Sequence, residues 1–178
     1  NKYFSCDPII VGPGIKTGMS ILYKNPAEVG ADRIVNSVAA YEKYRGPLVI
    51  VDFGTATTFD VVSQKGEYLG GAISPGVQLS LEALFKSAAM LPRVDMAEPE
   101  YVIGKSTIES IHSGTVYGFV GMIDGMVLRI QEELQQKAQV IGTGGIVDLI
   151  ASKTKTIDII DPFLTLEGLR IIHRRNQG

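Results

Sequence analysis

VIVDFGTATTFDVV, residues 49–62, is the stretch of sequence that decides the fold. An apolar run ends at Asp52, turns through a glycine and several hydroxyl side chains, and resumes, which predicts two strands joined by a tight loop. Gly54 lets a ligand approach the backbone, and the Thr55 and Thr57 hydroxyls can donate hydrogen bonds to an anion. Asp52 can hold a cation that shields phosphate charge. The pattern predicts a phosphate-binding loop, with an ordinary glycine–threonine hairpin turn as the alternative.

The segments around this hairpin predict an α/β fold with a mixed sheet. A third strand at residues 68–73 follows a short turn and completes an antiparallel meander, so the sheet is not purely parallel. Helical spacing of apolar residues predicts helices at 32–45, 79–85, about 106–136, 146–151 and 164–174, the last of them burying Leu169, Ile171 and Ile172. Further short strands are predicted at 8–11, 20–23, 138–141 and 157–160, with a candidate strand at 101–103.

Composition and charge limit the kind of protein. The 178 residues fit one domain or one and a half, and 45% hydrophobic content is enough for a packed core. Because 17 Lys and Arg face 19 Asp and Glu without long runs, we expect no nucleic acid or membrane partner and a small-molecule ligand instead. The single cysteine, Cys6, excludes an internal disulfide and favours the cytoplasm. His112 and His173 are the only histidines, and no metal-ligand cluster is evident.

Asp32 opens the first predicted helix, between Ala31 and Arg33. As an ordinary acidic residue at a helix N-terminus it would contribute less than about 1 kcal/mol of stability. The small residues Gly30 and Ala31 leave its approach uncovered, however, and the adjacent arginine can bind an anionic group while the carboxylate takes a proton. The residues alone leave both interpretations open.

Two glycine patterns in the second half of the chain indicate close backbone approaches. Gly142-Thr143-Gly144-Gly145 lies between a strand and a helix, where bare backbone suits a phosphate or an adenosine, although such turns are common. Four other glycines lie on roughly one side of the long helix, at positions 114, 118, 121 and 125. They predict that another backbone packs there, either in a buried helix crossing or in a subunit contact. At the start of this helix, Ser106 or Thr107 is a suitable N-cap.

Taken together, these segments resemble the second half of the ribonuclease H-like fold of actin-like ATPases and sugar kinases. More narrowly, they resemble the bacterial type III pantothenate kinases. The matching motifs are GADR at 30–33, DFGTATT at 52–58, GGAISPG at 70–76 and GTGG at 142–145. The similarity covers nearly all of the chain, and GADR combined with DFGTATT at this spacing is specific.

The resemblance implies that the protein phosphorylates the 4′-hydroxyl of pantothenate with ATP, the first step towards coenzyme A. It implies that Asp32 is the general base and that Asp52 binds a monovalent cation, K⁺ or NH₄⁺, while Mg²⁺ accompanies ATP. The implied pantothenate-binding residues are Tyr23, Gly30, Ala31, Asp32, Arg33 and Thr107. The implied ATP-binding residues are Gly54, Thr55, Gly144 and Gly145. A homodimer is also implied, with Thr107 near the subunit contact.

The resemblance also bears on the extent of the chain. The family's first phosphate loop, Asp-x-Gly-Asn-Thr, has no counterpart here, and residues 1–4 look like the end of an element. We therefore expect residues 1–46 to be the last part of a first actin-like domain and residues 47–178 to be the second domain. The final helix is expected to pack back on the first domain. We also expect these 178 residues alone to be inactive or nearly so.

Two other functions are compatible with parts of the pattern. A different kinase or phosphatase of the same superfamily would explain the DFGTATT and GTGG loops but not GADR at the helix start. A non-catalytic regulatory relative would keep the fold and tolerate loss of the carboxylate at Asp32, because a fold does not fix a function.

Overall fold

The computed structural model describes residues 8–88 and 90–177. The strands are β1 Leu48–Phe53, β2 Ala56–Val62, β3 Tyr68–Pro75, β4 Gln139–Gly144 and β5 Ile159–Ile160. The α-helices are α1 Ala31–Tyr44, α2 Val77–Ser87, α3 Thr107–Leu134, α4 Val147–Ala151 and α5 Leu164–Arg175, and a short 3₁₀ turn, Pro26–Glu28, precedes α1. No helix within these two ranges is both long and apolar enough to cross a membrane.

The five strands form one sheet in the order β3-β2-β1-β4-β5. β1 pairs antiparallel with β2 and parallel with β4, so the meander of the first three strands continues into parallel pairs. In the parallel pair Asp52 lies opposite Thr143, and Phe53 lies opposite Gly144. The predicted fold class, an α/β fold with a mixed sheet and an antiparallel meander between helices, is confirmed.

Alternating side chains of β1 divide the core into two layers. Val49, Val51 and Phe53 pack with α3 and α4 on one face of the sheet. Leu48 and Ile50 pack with α1 and α5 on the other. Since successive side chains of a strand point to opposite faces, Asp52 belongs to the face that α1 covers.

The last helix packs directly on α1. At Gly168 of α5 an added Cβ would lie 2.2 Å from the carbonyl oxygen of Val35, so only glycine allows this approach. Ile172 is buried in the same layer. The prediction that Leu169 is buried is wrong, because its side chain lies on the outer side of α5 and is 42% exposed. The expected domain division after residue 46 stays a prediction.

Two predicted strands are absent from the described residues, and a third is reduced. Residues 8–11 and 101–103 contain no strand, and residues 20–23 form only a single bridge between Ile21 and Tyr68. Val11 and Ile21 pack against the apolar layer beneath α1 instead, whereas Ile103 is 80% exposed. Short apolar runs predict burial better than they predict pairing, because a strand also needs a free sheet edge beside it. The expectations for residues 1–4 and for Cys6 lie outside the described ranges.

The glycines of α3 face open space within this chain. A Cβ added at Gly114, Gly118 or Gly121 would meet no other atom within 4 Å, and at Gly125 it would meet only Arg129 of the same helix. The expected buried helix crossing is therefore wrong for the described residues. The alternative, a contact between subunits, stays a prediction.

Candidate active site

Two carboxylates meet where β1 ends and α1 begins. Asp32 lies exposed in the first turn of α1, and Asp52 lies half-buried near the end of β1. Burial raises the pKa of Asp52, a hydrogen bond from Asn36 lowers it, and the negative charge of Asp32 raises it again. The structure thus brings together the two acidic residues singled out in the sequence.

Asn36 fixes the orientation of Asp52. It lies one helical turn after Asp32 on α1, and its Nδ2 donates to Asp52 Oδ2 at 2.8 Å. Its Oδ1 accepts a hydrogen bond from Thr165 Oγ1 of α5 at 2.7 Å. Asn36 was not predicted from the sequence, although its spacing of four residues from Asp32 places both on one helix face. The Asp52 side chain is therefore held between the sheet and two helices.

The predicted phosphate loops lie side by side at the ends of β1 and β4. Gly144 has a φ of +104°, and a Cβ there would lie 2.7 Å from Phe53 N and 2.8 Å from Asp52 Oδ1. Only glycine permits this contact between the two strand ends. In the β1–β2 turn Gly54 and Thr55 are exposed, as is Gly145 after β4. Backbone from both loops is therefore accessible beside Asp52.

Two threonine hydroxyls near these loops are buried and have no hydrogen-bond partner among the described residues, Thr57 Oγ1 and Thr143 Oγ1. Thr143 lies opposite Asp52 in the parallel pair of strands. Thr57 was expected to donate to the same anion as Thr55, but its side chain is fully buried. The exposed hydroxyl of the turn is therefore that of Thr55.

Arg33 points into the protein, away from bulk solvent. Its Nε donates to Asp60 Oδ1 at 2.7 Å. Asp60 also accepts hydrogen bonds from the Tyr68 hydroxyl at 2.8 Å and from Thr58 Oγ1 at 3.0 Å. Burial raises the pKa of Asp60, while the charge of Arg33 and these hydrogen bonds lower it. Arg33 Nη2 is buried and has no partner among the described residues.

Tyr23 joins this network through Tyr68. The two rings are 6.4 Å apart between centroids, and the Tyr68 ring lies 5.8 Å from Arg33 Cζ. Tyr23 packs over Gly70, where an added Cβ would lie 3.5 Å from its ring. Tyr23 and Arg33 therefore belong to one region, although nothing in the sequence indicated that Tyr68 connects them.

The remaining residues of the GADR motif lie at the same end of α1. Gly30 is the N-cap, and a Cβ there would lie 2.6 Å from Asp32 Oδ1. Ala31 is the exposed first residue of the helix. The Asp32 carboxylate folds back and accepts from Arg33 N at 2.9 Å. Small residues before Asp32 thus keep its carboxylate uncovered, as expected.

Thr107 lies elsewhere in the molecule. It is the exposed first residue of α3, behind the N-cap Ser106, whose hydroxyl accepts from Glu109 N at 3.2 Å. Thr107 lines a cavity of about 520 Å³ between α2 and α3. None of the residues lining that cavity belongs to α1 or to the β1–β2 turn. Within this chain the structure does not bring Thr107 to Asp32.

The chemistry around Asp52 suits a cation bound by oxygen atoms. No three His, Cys, Asp or Glu side chains converge on a common point within the described ranges. A cation beside Asp52 would therefore complete its coordination with neutral oxygens, and the unpartnered hydroxyl of Thr143 is one such oxygen at the neighbouring strand position. A desolvated carboxylate with a neutral hydroxyl beside it fits a cation held by oxygen atoms.

Comparisons with known proteins agree with one another on the family. The family model described as type III pantothenate kinase matches residues 1–129. The chain is 58% identical over 176 residues to the type III pantothenate kinase of Anaeromyxobacter sp. (strain Fw109-5), covering 99% of this chain and 69% of that relative. It is 58% identical over 177 residues to that of Myxococcus xanthus (strain DK1622), with the same coverage.

A solved structure shares the fold at lower sequence identity. The crystal structure of a conserved Baf family protein from Campylobacter jejuni superposes with a TM-score of 0.61 and 23% identity, covering 89% of this chain and 68% of that one. A similarity at this level shows the arrangement of helices and strands and says nothing about activity.

Proposed function

The chain belongs to the type III pantothenate kinase family, whose reaction is the ATP-dependent phosphorylation of pantothenate in coenzyme A biosynthesis, and we propose that Asp32 is the general base of that reaction. The observation that carries the proposal is that Asp32, in the first turn of α1, lies near enough to Asp52, near the end of β1, for its charge to raise the pKa of Asp52. One acidic residue there is open to an alcohol, and the other lies among backbone loops suited to phosphate. A hydroxyl and a nucleotide can therefore react between them.

In the proposed reaction the 4′-hydroxyl oxygen of pantothenate attacks the γ-phosphorus of ATP while Asp32 accepts the proton of that hydroxyl. The bond from that phosphorus to the β-phosphate oxygen breaks, and ADP and 4′-phosphopantothenate leave. Phosphoryl transfer asks the protein chiefly for alignment and charge neutralisation. The exposed carboxylate at the uncovered start of α1 supports this role, because the hydroxyl must come within hydrogen-bonding distance of it.

We assign pantothenate to the region between Tyr23 and the start of α1. Gly30 and Ala31 would lie along the substrate, and Arg33 would face its carboxylate. The contact of Tyr23 with Tyr68, and of Tyr68 with Arg33, supports one continuous pocket. Thr107 would contact pantothenate only where a second subunit brings it near.

We assign ATP to the two loops beside Asp52, with Gly54 and Thr55 on one side and Gly144 and Gly145 on the other. Their exposed backbone and the close approach of Gly144 to β1 support this assignment. Asp52 would hold K⁺ or NH₄⁺, and Mg²⁺ would accompany the nucleotide. A cation at Asp52 would offset the phosphate charge that develops in the reaction.

A substrate panel tests the proposed chemistry against its rivals. The full-length enzyme is incubated with γ-labelled ATP and, separately, with pantothenate, glucose or acetate. We expect label in 4′-phosphopantothenate and none in the other two products. Label in a sugar or acyl phosphate would indicate another kinase of the superfamily, and no transfer at all would favour a non-catalytic relative.

We further propose that the enzyme is a homodimer whose contact includes the glycines of α3. Gly118 is exposed, and no other atom lies within 4 Å of an added Cβ, so Gly118→Leu leaves the packing of the single chain intact. We expect this variant to shift the protein from dimer to monomer in light scattering after gel filtration. Arg170→Leu, which adds the same side chain to the exposed surface of α5, is the control. A Gly118→Leu protein that stays dimeric would refute the contact.

The cytoplasmic location stays a prediction.

A further inference from the structure

Asp60 is a buried carboxylate that takes no part in the proton transfer described above. It is fully buried in β2 on the face of the sheet that α1 covers. Tyr68 of β3 donates a hydrogen bond to Oδ1 of Asp60, and Thr58 of β2 donates one to Oδ2. Because both donors belong to the sheet, the orientation of the Asp60 carboxylate is set independently of α1. Arg33 then adds the third donor, its Nε.

Arg33 uses only part of its hydrogen-bonding capacity in this network. A guanidinium carries five N–H donors, and Nε is the one that faces Asp60. Nη2 is buried and has no acceptor among the described residues. Leaving a buried charged donor without an acceptor costs free energy that an arriving anion would recover. The unpaired nitrogen therefore favours an anionic ligand beside Nη2.

The surroundings of Arg33 keep that nitrogen in one place. The Tyr68 ring lies 5.8 Å from Arg33 Cζ, a distance at which the ring face attracts the cation. At Gly71 of β3 an added Cβ would lie 2.9 Å from Nη2 and 1.7 Å from the carbonyl oxygen of Phe59. Glycine at this position leaves room for the guanidinium at the edge of the pocket that Tyr23 overlies. Arg33 is thus held from two sides by groups of the sheet.

We propose that Asp60, oriented by Tyr68 and Thr58, is a positioning residue that fixes Arg33 to receive the carboxylate of pantothenate. The inference rests on the proposed binding of pantothenate by Arg33 and identifies the end of the substrate that is recognised. An arginine already held in its binding conformation loses little side-chain entropy when the ligand arrives. Asp60 therefore acts on substrate affinity through Arg33, without touching the reacting atoms.

A purely structural role for Asp60 is the alternative, and the same helix offers a matched control. At the other end of α1 the buried carboxylate of Asp161 accepts from Lys43 Nζ and from the Tyr44 hydroxyl, both at 2.8 Å. It thus also ties α1 to the sheet through one cation and one tyrosine. Ten residues of helix, about 15 Å, separate Lys43 from Arg33. Loss of either carboxylate removes an ion pair of α1, although Lys43 is exposed where Arg33 is buried, and only Asp60 lies beside the proposed pocket.

The experiment compares Asp60→Asn with Asp161→Asn in the full-length enzyme. Calorimetry measures the Kd values of pantothenate, of its uncharged primary amide and of ATP. For Asp60→Asn we expect pantothenate to bind about 10- to 100-fold more weakly, the range for loss of a hydrogen bond to a charged group, with the other two affinities unchanged. For Asp161→Asn we expect a lower Tm and unchanged affinities. An equal loss for pantothenate and its amide, or no loss, would overturn the proposal.

One further variant, Arg33→Ala, separates this inference from the proposed function. If Arg33→Ala binds pantothenate as tightly as the parent enzyme, Arg33 is not a substrate ligand, and both its assignment to the pantothenate pocket and the positioning role of Asp60 fail. If Arg33→Ala loses affinity while Asp60→Asn retains it, only the positioning role fails.

Should Asp60→Asn not fold, Tyr68→Phe and Thr58→Val each remove one of the hydrogen bonds that orient Asp60. Both are expected to weaken binding of pantothenate but not of its amide, and unchanged pantothenate binding in both would overturn the proposal.

Discussion

Asp32→Asn is expected to lower kcat for pantothenate phosphorylation by about 10²- to 10⁴-fold, the usual contribution of a general base. The amide has the shape of the carboxylate but cannot take the proton of the hydroxyl. The structural cost is small, because Asp32 is exposed and its hydrogen bond from Arg33 N can be kept by the amide oxygen. Steady-state kinetics, with the Kd of pantothenate measured by calorimetry, should show a loss in kcat and little change in binding.

Glu167→Gln is the control for this variant. Glu167 is also an acidic residue in the first turn of a helix, α5, and its loss removes the same favourable charge from a helix N-terminus. We expect this control to keep nearly full activity. If Asp32→Asn retained turnover within about fivefold of the parent, far above the range for loss of a base, Asp32 would be removed as the base. No turnover in the parent enzyme would instead favour the non-catalytic relative.

Asp52→Asn is expected to have opposite effects on activity and on stability. Activity should fall by about 10²- to 10³-fold, the cost of losing the bound cation that offsets charge in the transition state, and the dependence of activity on K⁺ or NH₄⁺ should disappear. Without cation at pH 7 the variant should be more stable than the parent. The hydrogen bond from Asn36 to Asp52 Oδ2 can be kept, because the new amide still offers an oxygen.

The sign of the stability effect follows from the pKa of Asp52. Burial is the main cause that raises this pKa above its value in the unfolded chain, and the charge of Asp32 adds to it. The native state therefore binds the proton more tightly, and stability falls as the pH rises from the unfolded pKa through the native one. A neutral side chain removes this loss, so the stability of Asp52→Asn should vary less with pH above 4.

Thermal unfolding between pH 4.5 and 8, with and without K⁺, measures both effects. Asp161→Asn is the contrasting variant: burial acts to raise the pKa of Asp161, but hydrogen bonds from Lys43 and Tyr44 outweigh it, and the pKa is lowered. Loss of that carboxylate should therefore reduce stability at pH 7. K⁺ should raise the Tm of the parent and not that of Asp52→Asn. A K⁺-dependent rise of equal size in both would remove Asp52 as the cation ligand.

The parts of the fold that could be predicted are those with a strong periodic pattern. The meander of β1 to β3 and the first long helix were evident because alternating and helical spacings are unambiguous over such lengths. The roles that the resemblance implied for Asp32 and Asp52 require both in one site, and the packing of α1 on β1 accounts for their proximity. The strand expected at residues 101–103 was wrong because an apolar run does not reveal whether a sheet edge lies beside it.

The site residues that were not predicted could be found only by knowing which strands are neighbours in the sheet. Asp60 and Tyr68 stand in strands β2 and β3, and only the antiparallel pairing of those strands brings them together behind Arg33. One signal was present: a charged residue within the apolar run of β2 must find a partner once it is buried. The sequence could not indicate that this partner is the arginine of the GADR motif, since 27 positions separate them.

Helix α1 is anchored to the sheet at both ends, through Arg33 to Asp60 and through Lys43 to Asp161. These two ion pairs hold the helix that carries Asp32 against the strands that carry Asp52 and Gly144. Any domain closure during turnover would have to leave this half of the cleft undeformed. The distance between the acceptor of the proton and the phosphate loops is thus set before either substrate arrives.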